Sequence, residues 1–229
     1  MDLFDFAQIK CVVFDFANTL SSDHYFNISP PGCPQWFEVI QKHIFGQPSI
    51  INPWMKGELT SLDIAGMLSK YFPLRVETIL EIMEAGCQDL QFNPAVRNFA
   101  AALRSAQRKT ALVTANMDIF SKVVVPAHKL YQLFDVILNT SDFHELRKEK
   151  LWPVAFERLG EGIGFGNSLL IEDGENEPAT FRALGGWAYQ YSNDTAFLEW
   201  LETVAWKDPI PGDLPRARRS SAWSGKAGR

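Results

Sequence analysis

Basic residues are the minority charge in this 229-residue chain: 22 lysines and arginines stand against 27 aspartates and glutamates, a formal net charge of -5. A nucleic-acid binder usually carries a basic face that neutralises phosphates, so the balance points away from such a partner. Cysteine is scarce as well. Cys11, Cys33 and Cys87 are odd in number and far apart, which suits neither a disulfide framework nor a zinc site. No apolar run approaches the roughly 20 residues that span a bilayer. The opening Met1-Asp2-Leu3-Phe4-Asp5 is acidic where a secretory signal is basic. The expectation is a cytoplasmic protein in a reducing compartment, with no membrane and no nucleic acid to bind. Oligomeric state has no signature here.

What is present is apolar: 46% of the residues are hydrophobic, enough to bury one good core with a smaller accessory lobe. Three apolar runs end in polar chemistry: Cys11-Val12-Val13-Phe14 at Asp15, Ala111-Leu112-Val113 at Thr114, and Leu169-Leu170-Ile171 at Glu172-Asp173. Each reads as a buried parallel strand whose carboxyl end carries a reactive side chain, and that edge of an open α/β sheet is where ligands bind. Two more extended runs, Phe134–Leu138 and Trp187–Tyr191, alternate with helical patterns. These cover 119–131, a helix ending near Leu159-Gly160, one through Ala183-Leu184, and 194–204. Such alternation predicts right-handed crossovers and an α/β fold: a Rossmann-like, mostly parallel sheet.

Residues 21–92 break the alternation. After a Pro/Gly loop, Trp36, Phe37, Ile40 and Ile44 recur at helical spacing. Thr60 with Asp63 looks like a capped start for Leu62 to Tyr71, and Val76, Ile79, Leu80 and Met83 carry a third helix. Asn93-Pro94 reads as cap and first turn of the helix with Val96, Phe99 and Leu103. The predicted organisation is a core of 1–20 and 93–206, a helical insertion at 21–92, and a basic Pro/Ser/Gly-rich tail at 207–229.

A strand-end Asp15, a strand-end Thr114, a lysine cluster and a strand-end acidic pair stand in the order found in the haloacid dehalogenase-like hydrolases, which this chain resembles over nearly its whole length apart from the tail. The insertion resembles that family's helical cap. The resemblance implies that Asp15 is a nucleophile forming an acyl phosphate and also a metal ligand. The Ala17 carbonyl, Asp173 and Glu177 would complete the metal set. Thr114, with Ala115 and Asn116 behind it and Asn18 in the nucleophile loop, would hold the transferring group. Two carboxylates meeting at a sheet edge need a cation between them, and Mg²⁺ suits carboxylates plus phosphate. The implied substrate is a small phosphorylated metabolite or a phosphonate. Lys148 and Lys150 both fit the lysine motif. Lys150 is preferred because Lys150, Pro153 and Phe156 follow the family's Lys-x-x-Pro-x-x-Phe spacing.

The departure is Ala17, where the family's phosphatases carry an Asp that protonates the leaving oxygen. Losing a positioned acid–base costs on the order of 10² to 10⁴ in rate. Three readings stand: a slow or differently served phosphatase, with Glu172 or a cap residue as the acid; a carbon–phosphorus hydrolase using a cap lysine, Lys56 or Lys42, as Schiff base; or a binding protein that kept the fold. A carbon–halogen hydrolase would not need the metal, against which Asp173 and Glu177 speak. His24 is a cleft candidate, and Tyr25, Phe26, Trp36 and Trp54 line either the cap or the core.

Overall fold

The structure is a computed structural model that describes residues 5–204; the 207–229 tail lies outside the described residues. Five strands form one sheet: β1 (Cys11–Phe14), β2 (Lys109–Thr114), β3 (Val136–Asn139), β4 (Ser168–Glu172) and β5 (Trp187–Gln190). Their order is β3-β2-β1-β4-β5, and every pairing is parallel. The α/β class is therefore observed, with β1 at the centre. Alternation along β1 assigns Val12 and Phe14 to one apolar cluster and Cys11 and Val13 to the other, so both faces are covered and all four residues are buried.

Between β1 and β2 lie α1 (Trp36–Ile40), which continues into a π-helical stretch at Gln41–Phe45, then α2 (Pro48–Met55), α3 (Ser61–Leu68) and α4 (Val76–Gln88). The Thr60–Asp63 capping box forms as expected. Helix α2 was not legible in the sequence, because Pro48 and Pro53 punctuate it; Pro48 occupies its first turn, where a missing N–H costs nothing. These helices do not build a core of their own. Trp36, Trp54, Leu68 and Met83 belong to the same cluster as Phe14 and Phe99 on one sheet face.

The remaining helices are α5 (Pro94–Ser105), α6 (Val125–Ala127), α7 (Trp152–Leu159), α8 (Asn176–Ala183) and α9 (Asp194–Thr203). The helix expected over 119–131 is broken. A π-helical stretch at Phe120–Val124 leads into three-residue α6; Lys129 then adopts φ 53° and a 3₁₀ turn follows at Leu130–Gln132. Pro126 and the β-branched run at 123–125 explain why a regular ladder does not continue.

Asn93 precedes α5 but does not cap it with its side chain. Its Nδ2 donates to the Thr19 carbonyl (2.8 Å), and its Oδ1 accepts from Ser22 Oγ (3.0 Å). Ser21 Oγ donates to the Gln91 carbonyl and the Gln91 N–H donates to Asp23, both at 2.7 Å. The two crossings between sheet and insertion are thus tied side by side.

Candidate active site

The Asp15 N–H donates to the Ile171 carbonyl (3.0 Å), extending the β1–β4 ladder by one residue and fixing Asp15 at the carboxyl edge. The chain then turns: the N–H groups of Leu20 and Ser21 both donate to the Phe16 carbonyl. Asn18 takes φ 55°, a left-handed conformation Asn tolerates. Ala17 and Asn18 are exposed on this turn. Thr19 is buried and donates to Asp173 Oδ1 (3.3 Å), joining the β1 loop to the β4 loop.

Four charged groups converge there. Asp15, Glu172 and Asp173 each offer a carboxylate oxygen within 4.8 Å of the others. Lys148 Nζ lies 2.6 Å from Glu172 Oε2 and 3.1 Å from Asp15 Oδ1. Burial alone would lower the Lys148 pKa, but Asp15 and Glu172 outweigh it and hold the ammonium above its ordinary value. Burial first, and then the Asp15 charge, push the Glu172 carboxyl up to about 8. One ammonium among three carboxylates leaves an excess of negative charge. Asp15 Oδ1, despite the ion pair, has no aligned hydrogen bond although it is buried. An oxygen-only donor set with such an orphaned carboxylate oxygen fits a hard divalent cation.

The structure brings Lys148, not Lys150, to the carboxylates. Both lie in one 3₁₀ turn, Lys148–Lys150, where residues two apart point to different sides; Lys148 is buried and Lys150 exposed. The spacing argument was right about its other members: Pro153 lies in the first turn of α7 and Phe156 is buried. Glu177 is not in the three-carboxylate group either. Its carboxylate folds over the loop, so that a Cβ on Gly174 would stand 2.6 Å from Glu177 Oε2 and 3.5 Å from Glu172 Oε1. A side chain at 174 would displace the Glu177 carboxylate, the flexible end of its side chain.

Thr114 ends β2, buried, and accepts from Asn116 Nδ2 (2.9 Å); the Asn116 N–H donates to Asn139 Oδ1 (3.0 Å). Ala115 between them is half-buried. Asn139, which the sequence reading passed over, ends β3 and donates to the Met117 carbonyl, Ser121 Oγ and Ser141 Oγ. It shapes the β2 loop, and an apolar run ending in a polar residue was the signal that marked it. The inserted helices dock just beyond. Asp118 accepts from Trp54 Nε1, from the Ser61 N–H and hydroxyl, and from Lys122 Nζ, all at 2.6–3.0 Å. Gly57, at φ 74°, meets the Ser141 backbone so closely that a Cβ would stand 2.3 Å from its carbonyl oxygen.

Lys56, with 43% of its side chain open to solvent, pairs with Glu58 at 2.6 Å, which raises its pKa. Lys42 is exposed, as is His24, whose ring lies beside Phe37. Trp36 and Trp54 are core residues.

Neither a protein-family model nor a curated protein matches the sequence. Solved structures do match in fold. A predicted haloacid dehalogenase-like hydrolase from Porphyromonas gingivalis superposes with TM-score 0.61 at 15% identity, over 85% of this chain and 98% of that one. A family enzyme from Bacteroides thetaiotaomicron, complexed with magnesium and inorganic phosphate, gives 0.60 at 16% over 80% and 94%. An L-2-haloacid dehalogenase from Xanthobacter autotrophicus gives 0.55 at 15% over 84% and 82%. The chain has the fold of the haloacid dehalogenase-like hydrolases. Among the described residues no helix is long and apolar enough to cross a membrane.

Proposed function

We propose that this chain is a haloacid dehalogenase-like hydrolase that moves a phosphoryl group from a small phosphorylated metabolite to water through an aspartyl phosphate on Asp15. The observation that carries the reading is the convergence of Asp15, Glu172, Asp173 and Lys148 at the ends of adjacent parallel strands. Asp15, Asp173 and Glu172, with the Ala17 carbonyl, would hold Mg²⁺. When bound, that ion offsets the carboxylate repulsion and polarises the phosphoryl oxygens.

Asp15 attacks phosphorus and the ester oxygen departs; water then attacks the acyl phosphate and restores the carboxylate. Lys148 pairs with Asp15 and faces the charge that develops on the phosphoryl group, the part expected of Lys150. Thr114 and the Ala115–Asn116 turn, braced by Asn139, are the phosphoryl-binding wall, and Asn18 is exposed at the entrance. Glu177 acts through the loop it covers. Three free, buried cysteines suit a reducing cytoplasmic setting.

For the carbon–phosphorus alternative, Lys56 is a poor Schiff-base candidate. A Schiff-base lysine needs a depressed pKa, and Lys56 is ion-paired with Glu58 and shifted the other way. The test is phosphate release from a panel of phosphomonoesters, with and without Mg²⁺, for wild type and Asp15→Asn. Metal-dependent release lost in the variant is the expected result. Release that survives in Asp15→Asn sinks the reading.

A further inference from the structure

Thr114, Asn116 and Asn139 are buried side chains joined in one hydrogen-bonded chain, and its directions follow from groups that can act in only one sense. A carboxylate accepts, so the Ser121 hydroxyl spends its proton on Asp142 Oδ2 (2.7 Å). Ser121 Oγ, like the Met117 carbonyl, then accepts from Asn139 (3.0 and 2.9 Å). The Asn139 NH₂ group therefore lies on that side, with Ser141 Oγ as a third acceptor at 2.8 Å. Its Oδ1 faces the backbone N–H of Asn116, which only donates. With its backbone fixed from β3 in this way, Asn116 donates from Nδ2 to Thr114 Oγ1 (2.9 Å).

That arrangement leaves one proton unspent. Thr114 Oγ1 accepts from Asn116, and among the described residues nothing accepts the Thr114 hydroxyl proton. The hydroxyl is at the right edge for a ligand to take it. Pairing of Phe14 with Leu112 sets Thr114 on the strand beside β1, one residue further along than Asp15, and neighbouring strands lie about 4.8 Å apart. The far end of the chain is pinned as well. Ser141 and Asp142 belong to the 3₁₀ turn Thr140–Phe143, where Thr140 Oγ1 donates to the Met55 carbonyl of α2 (2.9 Å) and the Ser141 carbonyl lies against Gly57. Donors fixed before the reaction need no reorganisation during it, which is what makes them effective against developing charge.

We infer that Asn116 and Asn139 are positioning residues: Asn139 fixes the Asn116 backbone, and Asn116 holds the Thr114 hydroxyl as an acceptor, leaving its one proton for an oxygen of the transferring phosphoryl group. The inference rests on the phosphoryl-transfer reading and deepens it. Neither asparagine touches the reacting atoms; each acts on the direction of a single donor. The end of β3, which supplies no reacting group, thereby takes part in setting the site.

The test is a double-mutant cycle read as kcat/KM with Mg²⁺ on the best substrate of the phosphomonoester panel. Thr114→Val, which removes the hydroxyl, should lose on the order of 10²-fold, as loss of one preorganised donor does. Thr114→Ser, which keeps it, should recover most of that loss. Asn116→Ala should lose about 10-fold when Thr114 is present and less than about twofold when Thr114→Val is already in place, because its target is gone. Asn139→Ala leaves several groups unpaired and should melt lower, yet its kinetic loss should vanish in the same Thr114→Val background. A merely structural asparagine would lower the melting midpoint and cost the same factor in both backgrounds. Additive losses at either asparagine overturn its assignment, and so does wild-type turnover in that variant. Full activity in Thr114→Val overturns the whole relay while the hydrolase reading stands on the Asp15→Asn control. A wild type that turns over no phosphomonoester overturns both.

Discussion

Asp15 and Asp118 follow neighbouring strands and are both buried, yet they are treated in opposite ways. Asp118 accepts four hydrogen bonds, three of them from the inserted helices, and these outweigh burial and hold its carboxyl below the usual range. Asp15 has a lysine it shares with Glu172, a second carboxylate against it, and an oxygen without an aligned donor. A carboxylate that only holds a structure together is given its donors. One left short of them beside other carboxylates is set up for something that arrives, whether a cation or a phosphoryl group.

The largest effect that sharpens this contrast is on Asp15. Asp15→Asn should cut turnover on the order of 10⁴-fold or more, as loss of a nucleophile does, yet leave the thermal midpoint equal or higher because a like charge beside Glu172 is gone. Phosphate-release kinetics and a melting curve on the same sample check both halves. Lys148→Met should come next, with turnover down on the order of 10² to 10³ and stability reduced by the exposed repulsion of Asp15 and Glu172. Lys150→Met should stay within about twofold, since its side chain is in water; a larger effect at 150 than at 148 would reverse the assignment. Asp118→Ala should show the mirror image of Asp15→Asn. It leaves Trp54 Nε1 and both Ser61 donors unpaired, costing about 3 kcal/mol, or roughly 6–12 °C in melting temperature. An Asp118 variant as stable as wild type would remove the contrast.

How much of this could be read beforehand follows from where the information sits. The ends of β1, β2 and β4 were legible because a parallel strand buried on both faces is an unbroken apolar run, and the residue that stops the run is the one at the ligand edge. The same rule would have marked Asn139. Lys148 was not legible over Lys150, because a 3₁₀ turn chose between them by direction and the pattern match depended on spacing alone. Helix α2 was hidden by its prolines, and Asn93 looked like a cap because its bonds across to Thr19 and Ser22 join positions about 70 residues apart.

The smallest expected effect is a difference between the two sites in how stability depends on pH. Asp118 has a folded pKa below its ordinary 3.8, so its stabilising share is present above that value and is lost as pH falls through the lowered one. Glu172 runs the other way. Its folded pKa, about 8, lies above the ordinary 4.5, so the folded state keeps a proton that the unfolded chain would release, and stability falls as pH rises from 4.5 towards 8. Mg²⁺ binds the carboxylate form, so saturating metal should flatten the alkaline limb and leave the acid limb alone, with protons released on binding below about pH 8. Urea midpoints across that range, with and without Mg²⁺, for wild type and Glu172→Gln, read this directly. The Gln variant should lack the alkaline limb even without metal. An alkaline limb that neither Mg²⁺ nor Glu172→Gln changes would mean that the charge excess at Asp15 is not what separates the two aspartates.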